Sequence, residues 1–345
     1  MSHKRVDSLY KTVNYYRSFN IEPVVCDNTP DSFWSSSGRK IVDYGCKFKA
    51  EESFTFYDQL IWLSEHFLNT NQTLISICPD EDLHYHRWFN YSLNAFKSVD
   101  SSIPITCIYG PSLSVSSSNN VMRISSAIPS RAFTGFNNNI NENAKKAMLG
   151  QVPFLWRTYP ADFFHSLMKT VKWFGLKYGD KVAEQVIWNL LIPAMGAILQ
   201  PTDCVHFIRK ESIGLRFTGE ASIGKISFLT EMKNIDCKEL AIELSKHTLD
   251  FPDRFVRPSH DLLEYCLKIA LNIFPVKPWR FSRNDQACFY LDPYKENSKL
   301  DFNKLVLTGN ENQYMFNYLI ASALDMPVLA LDIKDLRSIS NAFTD

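Results

Sequence analysis

The sequence predicts an α/β fold with a mostly parallel sheet flanked by helices and a mainly helical C-terminal region. Short apolar runs alternate with amphipathic segments over residues 1–110, and this alternation is typical of strands joined by crossover helices. Several runs end abruptly in Pro, Asp or Asn, as buried strands do where they feed loops. In such sheets ligands bind beyond the carboxyl ends of the strands, so we expect the functional site there.

The elements can be assigned in chain order from the spacing of apolar residues. Helices are predicted over residues 7–19, 54–68 and 84–96, and strands over 22–26, 40–44, 73–78 and 105–109. The Ser- and Asn-rich tracts 112–120 and 137–143 are predicted loops. Helical spacing returns over 161–200 and dominates 230–345, so the prediction is one domain over 1–225 and a helical region over 226–345.

Composition narrows the class of protein. The 345 residues contain 37 Lys and Arg and 37 Asp and Glu, and this zero net charge argues against a nucleic-acid partner. The eight cysteines form no C-x-x-C pair or zinc-ligand spacing, which favours a reducing compartment. No apolar run reaches the roughly 20 residues of a membrane span. We therefore expect a cytoplasmic protein, with peripheral association at the inner face of the plasma membrane left open.

Acidic side chains follow two of the predicted strands. Asp27 ends the run at 22–26, and the triplet Asp80-Glu81-Asp82 follows the strand at 73–78. Carboxylate oxygens are the ligands that Mg²⁺ and Mn²⁺ prefer, and such a cation can bridge a diphosphate and neutralise its charge. The position of the triplet favours a metal and diphosphate site over the alternative of a solvated acidic turn.

Four segments carry a resemblance to a known family. They are Ser2-His-Lys-Arg5 with the Tyr-Tyr of the first helix, Val24-Val-Cys-Asp-Asn28, Cys78-Pro-Asp-Glu-Asp-Leu83 and Phe154-Leu-Trp-Arg-Thr158. In their order and spacing they resemble the motifs of family 2-type nucleotide-sugar glycosyltransferases, whose fold is the Rossmann-like GT-A fold. The resemblance covers roughly residues 1–215.

The resemblance implies roles for individual residues. Asp27 would bind the nucleoside, Asp80 would lie near the ribose and diphosphate, and Asp82 would be the principal ligand of Mg²⁺ or Mn²⁺. Arg5 would contact the nucleotide, and Arg157 the sugar or the diphosphate.

The sequence departs from the family at three points. Glu81 stands where the family commonly has Asp, and Pro79 replaces a small residue. The family's first strand also has no counterpart before Ser2. These departures motivate one alternative, a non-catalytic binding or assembly protein on a degenerate GT-A scaffold.

An inverting sugar transfer needs a general base for the acceptor hydroxyl. Asp180 and Glu184 lie one turn apart at a predicted helix start, and Glu184 is the preferred candidate. The alternative is that Asp180 only caps the helix and Glu184 is solvated. Arg209, in the basic segment 206–210, is a candidate for binding the leaving diphosphate, unless that segment is an edge strand with exposed charges.

The sequence thus predicts a metal-assisted, inverting glycosyltransferase. Its donor would be a nucleotide-diphosphate sugar, a UDP-sugar being favoured, and its acceptor a glycan or a lipid-linked glycan. A third class remains alongside the non-catalytic alternative: another nucleotide-using α/β enzyme such as a nucleotidyltransferase, because a metal-diphosphate site serves both reactions.

Overall fold

The protein is an α/β structure with mixed sheets. The structure, a computed structural model, describes residues 6–28, 47–79, 82–99, 102–110, 112–118, 121–126, 139–150, 154, 157–201, 204–210, 235–273, 286–291, 306–308 and 333–343. Its helices are α1 (Val6–Ser18), α2 (Phe56–Asn69), α3 (Trp88–Ser98), α4 (Ile140–Gly150), α5 (Ala161–Tyr178), α6 (Asp180–Val182), α7 (Trp188–Met195), α8 (Cys237–His247), α9 (His260–Ile273) and α10 (Ile333–Phe343). A π-helical turn, Ala183–Ile187, joins α6 to α7, and a 3₁₀ turn, Thr248–Asp250, follows α8.

The strands form three sheets. They are β1 (Val24–Asp27), β2 (Lys47–Ala50), β3 (Leu74–Ser76), β4 (Asp82–His84), β5 (Ile105–Ile108), β6 (Ser112–Ser118), β7 (Val121–Ser126), β8 (Thr158–Pro160), β9 (Ala197–Leu199), β10 (Phe207–Lys210), β11 (Gln286–Leu291) and β12 (Val306–Thr308). The sheet orders are β1-β2, β3-β8-β5-β9 and β12-β11-β7-β6-β10-β4.

The expectation of a mostly parallel sheet is only partly confirmed. Among the described strands, β1 with β2, β5 with β9, and β6 with β10 pair in parallel. The remaining pairs are antiparallel, including the insertion of β8 between β3 and β5. Because β8 runs antiparallel to both, β3 and β5 point the same way, and their carboxyl ends lie at one edge of the sheet.

Several local predictions are confirmed and others are wrong. Helices α1 and α2 and strands β1, β3 and β5 lie where the apolar spacing placed them. The Ser-rich tract is not a loop: Leu113 and Val115 alternate with serines and are buried, and β6 pairs with β7 as a hairpin. The segment after the acidic triplet begins as strand β4, and its helix starts only at Trp88. The predicted strand at 40–44 lies outside the described residues.

The C-terminal region is not purely helical. Its helices α8, α9 and α10 were expected, but β11 pairs with β7 and so extends the same sheet that contains β6 and β10. The segment 206–210 is likewise not an edge strand, because β10 lies between β6 and β4. Strand β11 therefore places part of the C-terminal region in the same sheet as strands from residues 1–225.

The main core surrounds α5. Apolar residues recur along this helix at three- and four-residue intervals, and Phe163, Leu167 and Phe174 are fully buried against α2, α7 and α8. Helix α2 opposite it starts at a capping box, in which Thr55 and Asp58 satisfy each other's backbone N–H groups. Of the helices in the described ranges, none has the length and apolar character needed to cross a bilayer.

Candidate functional site

The carboxyl ends of β3 and β5 meet the segment that leads into β8. The N–H of Ile77, just after β3, donates to the carbonyl of Arg157 at 3.3 Å. The N–H of Tyr109, just after β5, donates to the carbonyl of Leu199 at 2.8 Å. These bonds hold Arg157 and Tyr109 at the same edge of the four-stranded sheet, which is where the sequence predicted the site.

Arg157 is a buried cation without a carboxylate partner among the described residues. Its side chain is 6% exposed, and its guanidinium lies 4.2 Å from the ring centroid of Tyr109 and 5.8 Å from that of Phe207. One terminal nitrogen, Nη1, donates to Ser112 Oγ at 3.3 Å, whereas Nε has no partner in the described part of the chain. A buried charge is costly unless it is paired, so this arrangement suits an anion.

Two buried histidines stand beside this cation. The rings of His84 and His206 stack with centroids 4.9 Å apart, and His206 also stacks on Trp88 at 4.1 Å. His84 Nε2 lies 2.7 Å from the carbonyl oxygen of Ile77, and therefore carries a proton that it donates. His206 Nδ1 accepts from the N–H of Gly110 at 3.3 Å, so in the neutral ring the proton is on Nε2, which has no partner among the described residues.

Both histidines are held in the neutral form. Burial lowers the pKa of His84 to about 4, and the positive charge of Arg157 acts in the same direction. Burial also lowers the pKa of His206 well below its ordinary value, helped by His84 and Arg157. A neutral His206 can donate through Nε2 without adding a second buried charge, so the fixed positive charge of this cluster is that of Arg157.

The close packing here depends on a glycine. A Cβ atom on Gly110 would lie 2.6 Å from Trp88 Cζ3 and 2.8 Å from His206 Cβ. Trp88 is itself bound to the first residue of β8, because its Nε1 donates to Thr158 Oγ1 at 2.8 Å. The strand end, the indole and the imidazole therefore form one packed unit beneath Arg157.

The predicted acidic residues are placed separately. Asp27 is buried at the end of β1, which belongs to the two-stranded sheet, whereas the triplet follows β3 of the four-stranded sheet. Asp82 is 2% exposed and begins β4 instead of lying in a loop. Its carbonyl accepts from Cys78 Sγ at 2.8 Å. Asp80, Glu81 and Arg5 lie outside the described residues.

The fit of a metal ion to these residues is incomplete. Across the described ranges, which exclude Asp80, no three His, Cys, Asp or Glu side chains come together as a metal-binding group. Asp82 alone does not make a Mg²⁺ or Mn²⁺ site. Arg209 lies opposite Asp82 in the β10–β4 register, but its side chain is outside the described part.

The two candidate bases differ in their surroundings. Asp180 is exposed and follows Gly179, whose φ is 100°, as the first residue of α6. It is not the N-cap that the sequence suggested, because Gly179 holds that position and no side-chain cap bond forms. The carbonyl of Asp180 is 3.4 Å from the Tyr57 hydroxyl, which donates to it.

Glu184 is half-buried in the π-helical turn and is linked to the Arg157 cluster through two side chains. Its carbonyl accepts from Asn189 Nδ2 at 3.4 Å, and Asn189 Oδ1 accepts from the N–H of Phe154 at 2.9 Å. The ring of Phe154 contacts that of Tyr109, with centroids 6.0 Å apart. π-Helical turns are frequent at functional sites, and this one connects to the aromatic ring over which Arg157 lies.

The sequence predicted a binding role for Arg157 but not for His84, Ser112 or Gly110, and it included His206 only within the basic segment 206–210. The sequence signal for the two histidines is weak, because it consists only of their position beside short apolar segments: His84 follows Leu83, and His206 precedes Phe207 and Ile208. For the comparison with known proteins, no family model matches the sequence, and no curated protein is significantly similar to it.

Proposed function

We propose that this chain is a glycosyltransferase that takes a sugar from a nucleotide-diphosphate donor, with Arg157 binding the diphosphate. The observation that carries the proposal is the buried guanidinium of Arg157, which has no carboxylate partner in the described residues and lies at the carboxyl ends of β3 and β5. A guanidinium matches phosphate oxygens in geometry and charge. The GT-A fold, the UDP-sugar and the glycan or lipid-linked acceptor are part of this proposal.

In the proposed reaction the acceptor hydroxyl oxygen attacks the anomeric carbon of the donor sugar. The bond from that carbon to the diphosphate oxygen breaks, and its electron pair leaves with the diphosphate. Arg157 stabilises the charge that develops there, and the N–H on His206 Nε2 is a further donor within the same cluster. The hydroxyl proton passes to a carboxylate, for which Glu184 is the first candidate and Asp180 the second.

Mg²⁺ or Mn²⁺ held by Asp82 and Asp80 stays part of the proposal, as the sequence predicted. When bound, such a cation would neutralise diphosphate charge. The described residues contribute only Asp82 to that set, so the stabilisation of the leaving group is assigned to Arg157.

The test is nucleotide binding by the full chain and by Arg157→Met. We expect UDP, GDP or UDP-glucose to raise the melting temperature of the wild type. The Met variant should bind about 10- to 100-fold more weakly, because it loses charge-assisted hydrogen bonds worth about 1.5–3 kcal/mol. Its own stability should not fall, because replacing a buried charge by an apolar side chain is often neutral or stabilising.

A matched control is Arg254→Met, because Arg254 is an exposed arginine that pairs with Asp162. This change should leave nucleotide binding unaffected. The proposal fails if no nucleotide shifts the wild-type melting temperature, or if Arg157→Met is less stable but binds nucleotide normally. Binding without any donor hydrolysis would favour the non-catalytic alternative, and release of pyrophosphate would favour a nucleotidyltransferase. Asp82→Asn tests the metal: it should remove any enhancement of binding by Mn²⁺.

A further inference from the structure

Helix α10 contributes a buried carboxylate to the segment that connects β4 to α3. Asp335 is 2% exposed, and its Oδ2 accepts a hydrogen bond from the Tyr85 hydroxyl at 2.6 Å. The same carboxylate lies 3.3 Å from Arg87 Nη2 and 3.5 Å from His86 Nε2. Three consecutive residues therefore converge on one side chain, which is 250 residues from Tyr85 in the sequence.

The bond to Tyr85 is the strongest of these contacts. The Arg87 side chain is 52% exposed, and ion pairs at such positions contribute little to stability. Tyr85 is 2% exposed, and a buried hydroxyl requires a partner. Burial and the bond to Asp335 both raise the pKa of Tyr85, so the hydroxyl keeps its proton and donates it to a charged acceptor.

The main chain of Tyr85 joins this contact to the Arg157 cluster. Its N–H donates to the carbonyl of His206 at 3.0 Å, and its carbonyl accepts from the N–H of Trp88 at 2.8 Å. The side chains of these two residues are the stacked imidazole and indole beneath Arg157. Tyr85 is thus bound to α10 through its side chain and to both stacked residues through its main chain.

Helix α1 holds the same segment through further contacts. The N–H of His84 donates to the Tyr16 hydroxyl at 2.9 Å, and the N–H of His86 donates to the Tyr15 hydroxyl at 3.3 Å. The ring of His86 also stacks on that of Phe19, with centroids 3.6 Å apart. Both α1 and α10 place side chains in one apolar cluster, so the segment is fixed between two packed helices.

We propose that Asp335 is a positioning residue for the Arg157 cluster and acts through Tyr85. The carboxylate holds the Tyr85 side chain, and the Tyr85 main chain holds His206 and Trp88 in place. Donors that are fixed before a ligand arrives need no reorganisation when it binds, so α10 strengthens anion binding at Arg157. The inference rests on the proposed function for its ligand, whereas the placement of His206 can be measured without one.

The first experiment measures the affinity of the full chain for UDP. Tyr85→Phe removes only the hydroxyl, and Asp335→Ala removes its acceptor. We expect each variant to bind UDP about 3- to 30-fold more weakly, because the loss cannot exceed the strength of one hydrogen bond to a charged group. The double variant should bind no more weakly than the weaker single variant, because both changes break the same bond.

Asp335→Asn is the conservative variant. It keeps an oxygen that accepts from the Tyr85 hydroxyl, so it should bind UDP within about twofold of the wild type. Arg87→Ala is the matched control, because it removes the ion pair with the same carboxylate but leaves the bond to Tyr85. This control should not change the affinity for UDP.

A second control separates positioning from stability. Ile339→Ala is a large-to-small change at a buried position one turn further along α10, and it should destabilise the fold by creating a cavity. Affinities are compared at a temperature at which circular dichroism shows each variant to be folded. Under these conditions we expect Ile339→Ala to bind UDP as the wild type does.

The placement of His206 is tested without a nucleotide by amide exchange at Gly110. The Gly110 N–H donates to His206 Nδ1 at 3.3 Å. A displaced imidazole should speed this exchange at least about fivefold in Tyr85→Phe and in Asp335→Ala. The amides of α2, whose buried residues belong to a different apolar cluster, should exchange at the wild-type rate.

Several outcomes would overturn the proposal. Asp335 is only structural if its Ala variant loses stability but binds UDP normally, or if Ile339→Ala weakens binding equally. The path through Tyr85 is wrong if the two losses add in the double variant, or if Arg87→Ala has the larger effect. If the wild type binds no nucleotide, the proposed function fails. Faster exchange at Gly110 would then still support the positioning of His206, and unchanged exchange in both variants would overturn it.

Discussion

Gly110→Ala tests the packed unit beneath Arg157. The added methyl carbon would lie 2.6 and 2.7 Å from two atoms of the Trp88 indole and 2.8 Å from His206 Cβ. Trp88 and His206 are fully buried, so neither can move into solvent. Overpacking of this kind typically costs about 1–3 kcal/mol, and the lower entropy of the unfolded Ala chain offsets about 0.4–1 kcal/mol of that cost. We therefore expect a net loss of about 1–2 kcal/mol in the free energy of unfolding.

Urea denaturation of Gly110→Ala and wild type measures this loss, and Gly175→Ala is the matched control. At Gly175 the added carbon would meet Asp180 Oδ1, the far end of an exposed side chain, at 3.0 Å and Tyr57 Cε2 at 3.2 Å. Both contacts are looser than those at Gly110 and require shifts of only a few tenths of an ångström. Because Gly175 lies inside helix α5, Ala there is favoured by up to about 1 kcal/mol, and we expect a neutral or stabilising change. Equal stability of Gly110→Ala and wild type would refute the described packing of Trp88 against His206.

Three further predictions concern pH, catalysis and capping. Burial lowers the pKa of His84 to about 4 from its ordinary 6.5. Between these two pH values the imidazole is protonated in the unfolded chain but not in the folded one, so the free energy of unfolding falls by up to about 3 kcal/mol as the pH drops from 6.5 to 4. His206 contributes to stability with the same sign, so His84→Gln should reduce this pH dependence of urea unfolding without abolishing it, whereas the exposed His260→Gln should leave it unchanged. Glu184→Gln should lower donor turnover at least about 100-fold with little change in nucleotide binding, and a larger loss in Asp180→Asn would reverse the assignment of the base. Thr55→Ala should cost about 1 kcal/mol of stability in thermal unfolding, because it removes the capping box of α2; no loss would mean that the cap contributes nothing.

The neutral histidines and the buried arginine have a common physical basis. Each lies in a part of the core where charge is strongly disfavoured, and Arg157 keeps its charge because a guanidinium does not lose its proton in proteins. The imidazoles can lose theirs, and burial together with the nearby cation favours that loss. The result is one fixed positive charge beside neutral, hydrogen-bonding rings, a combination that attracts an anion without several cations repelling one another.

Strand β3 is linked to the packing beneath Arg157 through side chains. The Ser76 hydroxyl lies 2.6 Å from Thr158 Oγ1, which also receives the Trp88 indole N–H.

The sequence by itself determined those helices and strands whose pattern of apolar and polar residues is contained within one short segment. Helix α2 could be read from Leu60, Leu63 and Phe67 on one face, and β3 and β5 from short apolar runs with polar ends. Arg157 could be singled out as a binding residue, but only through a resemblance in the surrounding motif. In Ser112–Ser118 the many serines predicted a loop, although Leu113 and Val115 alternate with them as apolar and polar residues do in a strand.

Only the tertiary structure decided which elements meet. Strand pairing joins residues far apart in the chain, as where β11 pairs with β7 or β8 inserts between β3 and β5, and no local periodicity encodes such partners. The same holds for the site. Three strands bring its residues to Arg157, since His84 lies in β4, Ser112 in β6 and His206 directly before β10. The pKa shifts of His84 and His206 arise from burial and from neighbours distant in sequence, which is why the sequence predicted the edge of the sheet but not the cluster on it.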